Sequence, residues 1–579
     1  MLKSSLSIIS LLILSSIFAN DVIAQTREFY TSDKKILLEG KELFNTSCAS
    51  CHALAEEGIG PRLGGITSLL SKKQLTEFIQ NPSRIIDSGD QRAINLSRQF
   101  KLVMPPFEFL KKEEINSILA YIANESKINN IKPLQVDAQN IAADAATERV
   151  GKPVKKSGLA IELEDFVQIP PSADKPPFTR IANMRPHPSS DGTLFVSDQR
   201  GIIYRISKGK VNTFLDIRPE IEHYINAPGL GTGLGSFAFH PDYLKNGLIY
   251  ITHTEEFAGK KADYEFPDSI KVAMQWVVSE WKNNDIAGTI FKGKRRELIR
   301  INVPSGVHGT QDIGFVPVKD KKDPDYGMLF IGTGDGGTTI SKHPELTHHL
   351  KSLLGTIIRI NPLGNNSQNG QYGIPADNPF IHLTVPGIRK EIYAYGFRNP
   401  HRMSWDMNHG RILFSAEVGE GNFEEVNVVV KGGDYGWNTR EGSYGISPAD
   451  LKSVFRISEQ EARKYIAPYL EYDHNDGNAI SGGSVYEGKL TALKDKYIFG
   501  DIVNGRIFYA HINKSLSDST IYEINIEQNS HPTDLKELSG SKRVDLRIEY
   551  DNLAGEMYFM TKSDGRIRRI VKAGNREKK

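Results

Sequence analysis

Two thiols and an imidazole stand together at Cys48-Ala49-Ser50-Cys51-His52. In a C-x-x-C-H run the thiols lie about one helical turn apart, so each can form a thioether to a haem vinyl while the adjacent imidazole reaches the iron. A redox dithiol of the thioredoxin kind would need the motif to open a helix inside an α/β pattern, and no such pattern follows. The motif therefore predicts one covalently held haem c, attached through Cys48 and Cys51 with His52 as an iron ligand. The rest of the chain is then expected to give electrons to that haem or take them from it.

The elements around the motif fit a small helical domain. Ile36 to Phe44 has apolar residues at helical spacing, and Glu113 to Ala123 repeats the pattern with acidic residues in its first turn, where the helix dipole favours them. Between them lie the turn-rich Gly60-Pro61-Arg62-Leu63-Gly64-Gly65 and the segment Lys101-Leu102-Val103-Met104-Pro105-Pro106-Phe107. The prolines after Met104 hold it in a non-helical presentation, which suits a sixth iron ligand better than a core thioether. CASCH, MPPF and the terminal EEINSILAYIA helix resemble a class I cytochrome c over about one hundred residues. The resemblance implies a haem ligated by His52 and Met104, with no open iron position, so that it carries electrons and does no chemistry itself.

The chain has 579 residues, 72 basic against 70 acidic side chains and a net charge of +2, which gives no hint of nucleic acid or an anionic membrane. Its two cysteines are both in the haem motif, leaving none for a disulfide. Residues 1–24 read as a secretory signal: Lys3, an apolar stretch from Leu6 to Ala19, and a cleavage site at Val22-Ile23-Ala24. The apolar stretch is short for an uncleaved anchor, and no other run could span a bilayer. A periplasmic protein without a stable membrane anchor is expected, made of a cytochrome domain over 25–127, a linker over 128–159 with a short helix at Asp137 to Arg149, a second domain over 160–572, and a basic tail over 573–579.

The second domain is built on a repeat. Thr193 to Val196, Leu248 to Ile251, Met328 to Ile331, Ile412 to Ser415, Tyr497 to Gly500 and Glu556 to Phe559 are six β-favouring runs, several followed by a turn and a second run, as at Gly201 to Ile206 and Gly565 to Ile570. Paired short strands in six copies predict a six-bladed propeller. The fold class is thus two domains, an all-α cytochrome c followed by an all-β six-bladed propeller. The stretch Glu255 to Arg296, with Trp276, Trp281 and the basic run Lys292 to Arg296, reads as an inserted loop. Gly332 to Gly337 matches G-x-G-x-x-G but lacks the βαβ context and the following acid, so it is a blade turn and not a nucleotide loop. His240 belongs to a blade-turn motif and is expected to be structural. His343, His348 and His349 have no evident partner in sequence and are expected at the surface.

Further motifs occur in order: GSFAFHPD from Gly235, GTGDGG from Gly332, Leu353-Leu354-Gly355, IPADNPF from Ile374, Tyr395-Gly396-Phe397-Arg398-Asn399-Pro400 and GGDYGW from Gly432. Together they resemble the soluble quinoprotein glucose/sorbosone dehydrogenase family, which includes the aldose sugar dehydrogenases, over most of residues 180–570. The resemblance implies a propeller holding pyrroloquinoline quinone (PQQ) and calcium over its central channel, and oxidation of an aldose sugar or related alcohol. It places His308 as the catalytic base, Asp335 as the acid orienting it, and Arg398 beside the reactive quinone carbonyl with Asn399 next to it. It also places the calcium-holding carbonyls at Gly419 and Glu420. An imidazole, titrating near ~6.5, suits removal of a hydroxyl proton at neutral pH. Arg506 and Arg547 are the expected cations for the PQQ carboxylates.

Two positions depart from the family pattern: Gly231 stands where a glutamine often precedes a G-L-L-G turn, and Val307 replaces an acid before the base. A quinone-free binding propeller, or a metal-dependent lactonase, are the alternatives these departures leave. The haem favours the dehydrogenase, with electrons passing from reduced quinone to haem and on to a downstream periplasmic cytochrome or terminal oxidase.

Overall fold

The computed structural model describes residues 30–49, 51–57, 60–100, 104–136, 150–227, 229–451 and 453–576. The expected signal segment and the short helix at 137–149 lie outside these residues.

The first domain is helical: α1 (Lys34–Ser47), α2 (Lys72–Gln80), α3 (Pro82–Asp87), α4 (Gln91–Gln99) and α5 (Lys112–Ile128). The Asp33 carboxylate starts α1 by accepting from the Lys35 and Ile36 amides, and Glu113 and Glu114 sit in the first turn of α5 as expected. These two helices cross closely because Gly40 has no side chain; a Cβ there would lie 2.0 Å from the Ser117 carbonyl oxygen. Phe44, Leu75, Leu110, Ile115, Ile118 and Ile122 form the core between the helices.

The second domain is a ring of six four-stranded antiparallel blades. Blades I to V start with the strands Ile181–Pro186, Leu234–Phe239, Thr310–Phe315, Pro400–Asp406 and Ile480–Tyr486, and blade VI starts with Leu546–Asp551. Each first strand packs against the first strands of the two neighbouring blades, and blade I meets blade VI, so these strands line a central channel. The six runs read from the sequence are the second strand of each blade. Ring closure comes from the chain's two ends: Lys155–Gln168 pairs antiparallel with the last strand, Arg566–Asn575, as the fourth strand of blade VI. It also pairs in parallel with Tyr522–Gln528 of blade V. Blade VI thus hides an edge that would otherwise template aggregation. The first strand begins five residues before the expected start at 160, and the last runs beyond 572 into the expected tail.

One sequence reading is overturned. Glu255 to Arg296 is not an inserted loop throughout: Met274–Asn283 and Gly293–Val303 are the outer strands of blade II. Trp276 and Trp281 are buried between neighbouring blades, and Arg296 is tied to the Glu280 carboxylate at 2.7 Å. Two-sided burial erased the polar-apolar alternation that marks a half-exposed strand.

Candidate active site

In the cytochrome domain the chain leaves α1 through a turn in which the Cys51 and His52 amides donate to the Cys48 carbonyl at 3.0 and 2.9 Å, placing the motif residues on one wall of a cavity. His52 Nδ1 lies 2.7 Å from the Pro61 carbonyl oxygen. An N–H at Nδ1 donates to that oxygen and leaves Nε2 with its lone pair for iron. Gly60 is required here, since a Cβ would lie 2.6 Å from His52 Cε1. Met104 lines the same cavity with Phe78, Leu96, Phe100 and Ile118. A deprotonated imidazole nitrogen, a thioether, two thiols and an apolar wall fit a haem c.

The propeller site lies at the end of the channel where the chain enters the first strands of the blades. His308 stands in the connection from blade II to blade III, at φ 52°, a left-handed conformation that a non-glycine residue keeps only when its surroundings impose it. The glycines of GTGDGG allow the approach: a Cβ on Gly334 would lie 2.3 Å from the His308 carbonyl oxygen. His308 Nδ1 meets Asp335 Oδ1 at 2.8 Å. Asp335 is fully buried and also accepts from the Gly337 amide (2.8 Å), Trp437 Nε1 (3.1 Å) and the Thr338 hydroxyl (3.3 Å). Burial alone would raise this carboxyl, but His308, Arg398 and the Gly337 amide outweigh it and hold the acid below its usual range. The pair is therefore an oriented imidazole with Nε2 turned to the cavity side, the geometry of a general base.

Arg398 precedes the first strand of blade IV. Its Nη2 and Nε reach the Glu420 carboxylate at 2.6 and 2.9 Å, and its Nη1 donates to the Val418 carbonyl at 3.0 Å and to the Gly419 carbonyl. Burial opposes the charge, but Glu420 and Asp335 more than offset it. The loop is fixed from below by Glu441, whose Oε1 accepts from the Glu420, Gly421, Asn422 and Phe423 amides at 2.8–3.0 Å. As arranged, the Gly419 carbonyl already carries a guanidinium, so a divalent cation there would have to compete with Arg398, because like charges repel; at Glu420 the guanidinium holds the side-chain carboxylate and not the backbone carbonyl.

The opposite wall is cationic. Arg180, Arg543, Arg547 and Lys562 line the cavity together with Asp545. Burial, and then the neighbouring Arg402, push Arg547 down to about 9, while burial pushes Arg180 to about 10. Lys562 is driven well below its ordinary value by burial and by Arg547. Arg547 Nε and Asn399 Oδ1 are buried without a partner. Under-neutralised buried cations and the bare Arg547 Nε–H donor are what a polycarboxylate ligand would satisfy, so this wall fits PQQ.

The structure thus brings His308, Arg398, Asn399, Gly419, Glu420 and Arg547 to one cavity, with Asp335 buried behind His308. It does not bring Arg506 there: that guanidinium is paired with Glu523 at 2.8 Å and is absent from the lining. The glutamine missing at position 231 has a spatial counterpart, since a Cβ on Gly231 would lie 3.1 Å from Nε2 of Gln311, a lining residue on the first strand of blade III. Arg180, Arg543, Lys562 and Gln311 were missed from sequence because each is a single residue on a different strand or loop, without a local motif. His240 is buried and accepts from the Asp242 amide at 3.0 Å, a structural turn as read. His348 is not a free surface histidine; its Nε2 meets Asp434 at 2.8 Å across 86 residues. Among the described residues, the one His/Cys/Asp/Glu group at metal-ligand spacing is Asp406, His409 and Glu487, and none of the three lines the cavity.

The two sites share their space. One cavity of about 3050 Å³ is lined by Cys48, Cys51 and His52 and by His308, Arg398 and Arg547. Lys175 pairs with Glu114 and Lys342 lies 3.9 Å from Glu56, holding the domains face to face.

Comparison with known proteins agrees with this architecture. The family profile described as Glucose / Sorbosone dehydrogenase matches residues 182–572, and that described as Cytochrome c matches residues 37–126. The HIPL1 protein of Arabidopsis thaliana is 27% identical over 410 residues, covering 61% of this chain and 56% of that protein. Quinoprotein glucose dehydrogenase B of Acinetobacter calcoaceticus is 27% identical over 262 residues, covering 43% of this chain and 48% of that protein. The chain thus spans about half the length of the curated relatives it matches. A solved structure of a glucose dehydrogenase superposes with a TM-score of 0.51 at 17% identity, covering 71% of this chain and 98% of that one, a likeness of fold. With more than half its length matched by the first profile, the chain belongs to the glucose/sorbosone dehydrogenase family and carries a cytochrome c domain ahead of its propeller.

Proposed function

We propose that the protein is a periplasmic PQQ-dependent dehydrogenase that oxidises an aldose sugar or related alcohol and passes the electrons to its own haem. The observation that carries this reading is the single cavity lined by Cys48, Cys51 and His52 and also by His308, held by Asp335, and the cationic wall. Hydrolysis or binding alone would need no electron carrier at that position.

Bound PQQ would supply a hydride acceptor, and the haem would carry the two electrons away singly. His308 Nε2 takes the hydroxyl proton, while Asp335 holds Nδ1–H and stabilises the imidazolium that results. Arg398, kept charged by Glu420 and Asp335, places positive charge where negative charge develops on an oxygen. Arg547, Lys562 and Arg180 bind and orient carboxylates, and the bare Asn399 Oδ1 is left to accept from a donor on the same ligand. One CH–OH group loses a hydride and a proton; two electrons leave through the haem, and the two protons go to solvent. The tether keeps the acceptor at high effective concentration, and a downstream periplasmic cytochrome or oxidase would re-oxidise the haem.

The test uses full-length protein with its haem attached, reconstituted anaerobically with PQQ, while the haem spectrum is followed as aldoses and alcohols are added. Reduction that requires PQQ and is lost in His308→Ala is expected. PQQ uptake with no haem reduction by any substrate would refute the internal electron path, and no uptake would refute the quinoprotein reading.

A further inference from the structure

His401 lies on the first strand of blade IV, two residues after Asn399, and lines the same cavity. It is 4% exposed, and both its ring nitrogens are buried without a hydrogen-bond partner. A buried imidazole normally has at least one of the two satisfied, and leaving both bare carries a desolvation cost.

Its neighbours explain the lack of an acceptor. The charged groups that act on the ring are Arg402, Arg547, Lys562 and His308, none of which in its charged form has a lone pair to accept from it. Arg402 is turned to the backbone, donating to the Gln311 and Ala182 carbonyls at 3.0 and 2.9 Å. Arg547 donates to the Leu546 carbonyl at 2.7 Å, and Lys562 to Gln199 Oε1 at 2.6 Å. Burial and these cations hold the ring neutral, so it keeps one N–H to give and one lone pair. The group this corner lacks is an anionic oxygen brought from outside.

We infer that His401 is a ligand-binding residue of the cavity, whose ring N–H donates to a carboxylate oxygen of the anionic cofactor seated on Arg547 and Lys562. The inference rests on the quinoprotein reading, and it adds a contact that the sequence motifs did not assign. His401, Asn399 and His308 all line this cavity, so a ligand held by the ring would lie in the same space as the base.

The test is direct titration of the full-length, haem-bearing apo protein with PQQ by calorimetry, comparing wild type with His401→Gln, His401→Leu and, outside the cavity, Arg506→Gln. Apo melting temperatures are taken alongside. A charge-assisted hydrogen bond predicts at least tenfold weaker PQQ binding in His401→Leu, with most of it restored in His401→Gln, which keeps an N–H donor. Arg506→Gln should bind as wild type. Wild-type affinity in His401→Leu, or equal weakening in Leu and Gln variants, would overturn the assignment and leave the quinoprotein reading standing. If wild type itself takes up no PQQ, both fall. Should His401→Leu fail to fold, His401→Asn and His401→Gln against wild type decide the same question, because only a donor at the right reach preserves affinity.

Discussion

Arg547 tests most sharply whether the cationic wall exists for a ligand. Its guanidinium is brought from the usual value down to about 9, chiefly by burial and then by Arg402. At neutral pH it is protonated in both folded and unfolded chains, so the fold bears the full cost of that charge, on the order of 5 kcal/mol. Exchanging it for methionine removes the cost but takes from Asp545 a cation that holds its carboxyl low, and removes the bond to the Leu546 carbonyl. About half should therefore be recovered, roughly 2 kcal/mol, or a rise of ~2 °C in apo melting temperature for a ring of this size. PQQ affinity should fall at least 100-fold, and the stabilisation that PQQ gives wild type should vanish. Calorimetric melting of apo and PQQ-loaded protein reads both effects. An apo Arg547→Met protein that melts below wild type while binding PQQ unchanged would show that the arginine is a structural strut.

His308→Gln and Asp335→Asn should each lower kcat by about 10²–10⁴-fold with little effect on PQQ affinity, measured by anaerobic haem reduction; an effect on affinity alone would remove the base assignment. Burial raises Glu424 to about 7 despite its 2.9 Å contact with His474. The folded state thus holds that proton more tightly than the unfolded chain, and the resulting stability, about 3 kcal/mol, is present below the unfolded carboxylate value and is lost as pH rises through 7. Urea unfolding at pH 5 and pH 8 should show this slope flattened in Glu424→Gln. Met104→Leu should leave the haem attached but change its visible spectrum and lower its potential, as seen by redox titration; an unaltered potential would mean another sixth ligand. Because Arg398 already holds the Gly419 carbonyl, PQQ uptake should be indifferent to EGTA; calcium-dependent uptake would show that Arg398 leaves it.

What could be read from the sequence followed from how local each signal is. C-x-x-C-H carries its chemistry within five residues, and the six second strands share a register of β-favouring runs bounded by turns. His308, Asp335 and Arg398 sit in glycine-rich segments whose backbones approach closely, which makes them recognisable as motifs. The cationic wall has no such signature: Arg180, Arg543 and Lys562 come from the two blades that the ring closure brings together, separated by more than 350 residues. Arg506 looked equivalent to Arg547 because both lie in blade-end runs near family positions, but the first is paired with Glu523 and the second lines the cavity. Helix α2 did carry a readable sign, the Ser71–Gln74 capping box, whereas α4 is so polar that only its neighbours stabilise it.

The strand Lys155–Gln168 has a consequence for how the protein comes into being. Its partners lie at the far end of the chain, with Leu159 opposite Asn575, so the ring cannot close until the last residues have been made. Until Tyr522–Gln528 and then the last strand are made, this strand is an unpaired edge, hanging from a cytochrome domain whose main helix pair, α1 with α5, is complete within residues 34–128. Haem attachment can accordingly be completed on a finished small domain before the propeller exists, and the last event of assembly draws that domain onto the channel mouth.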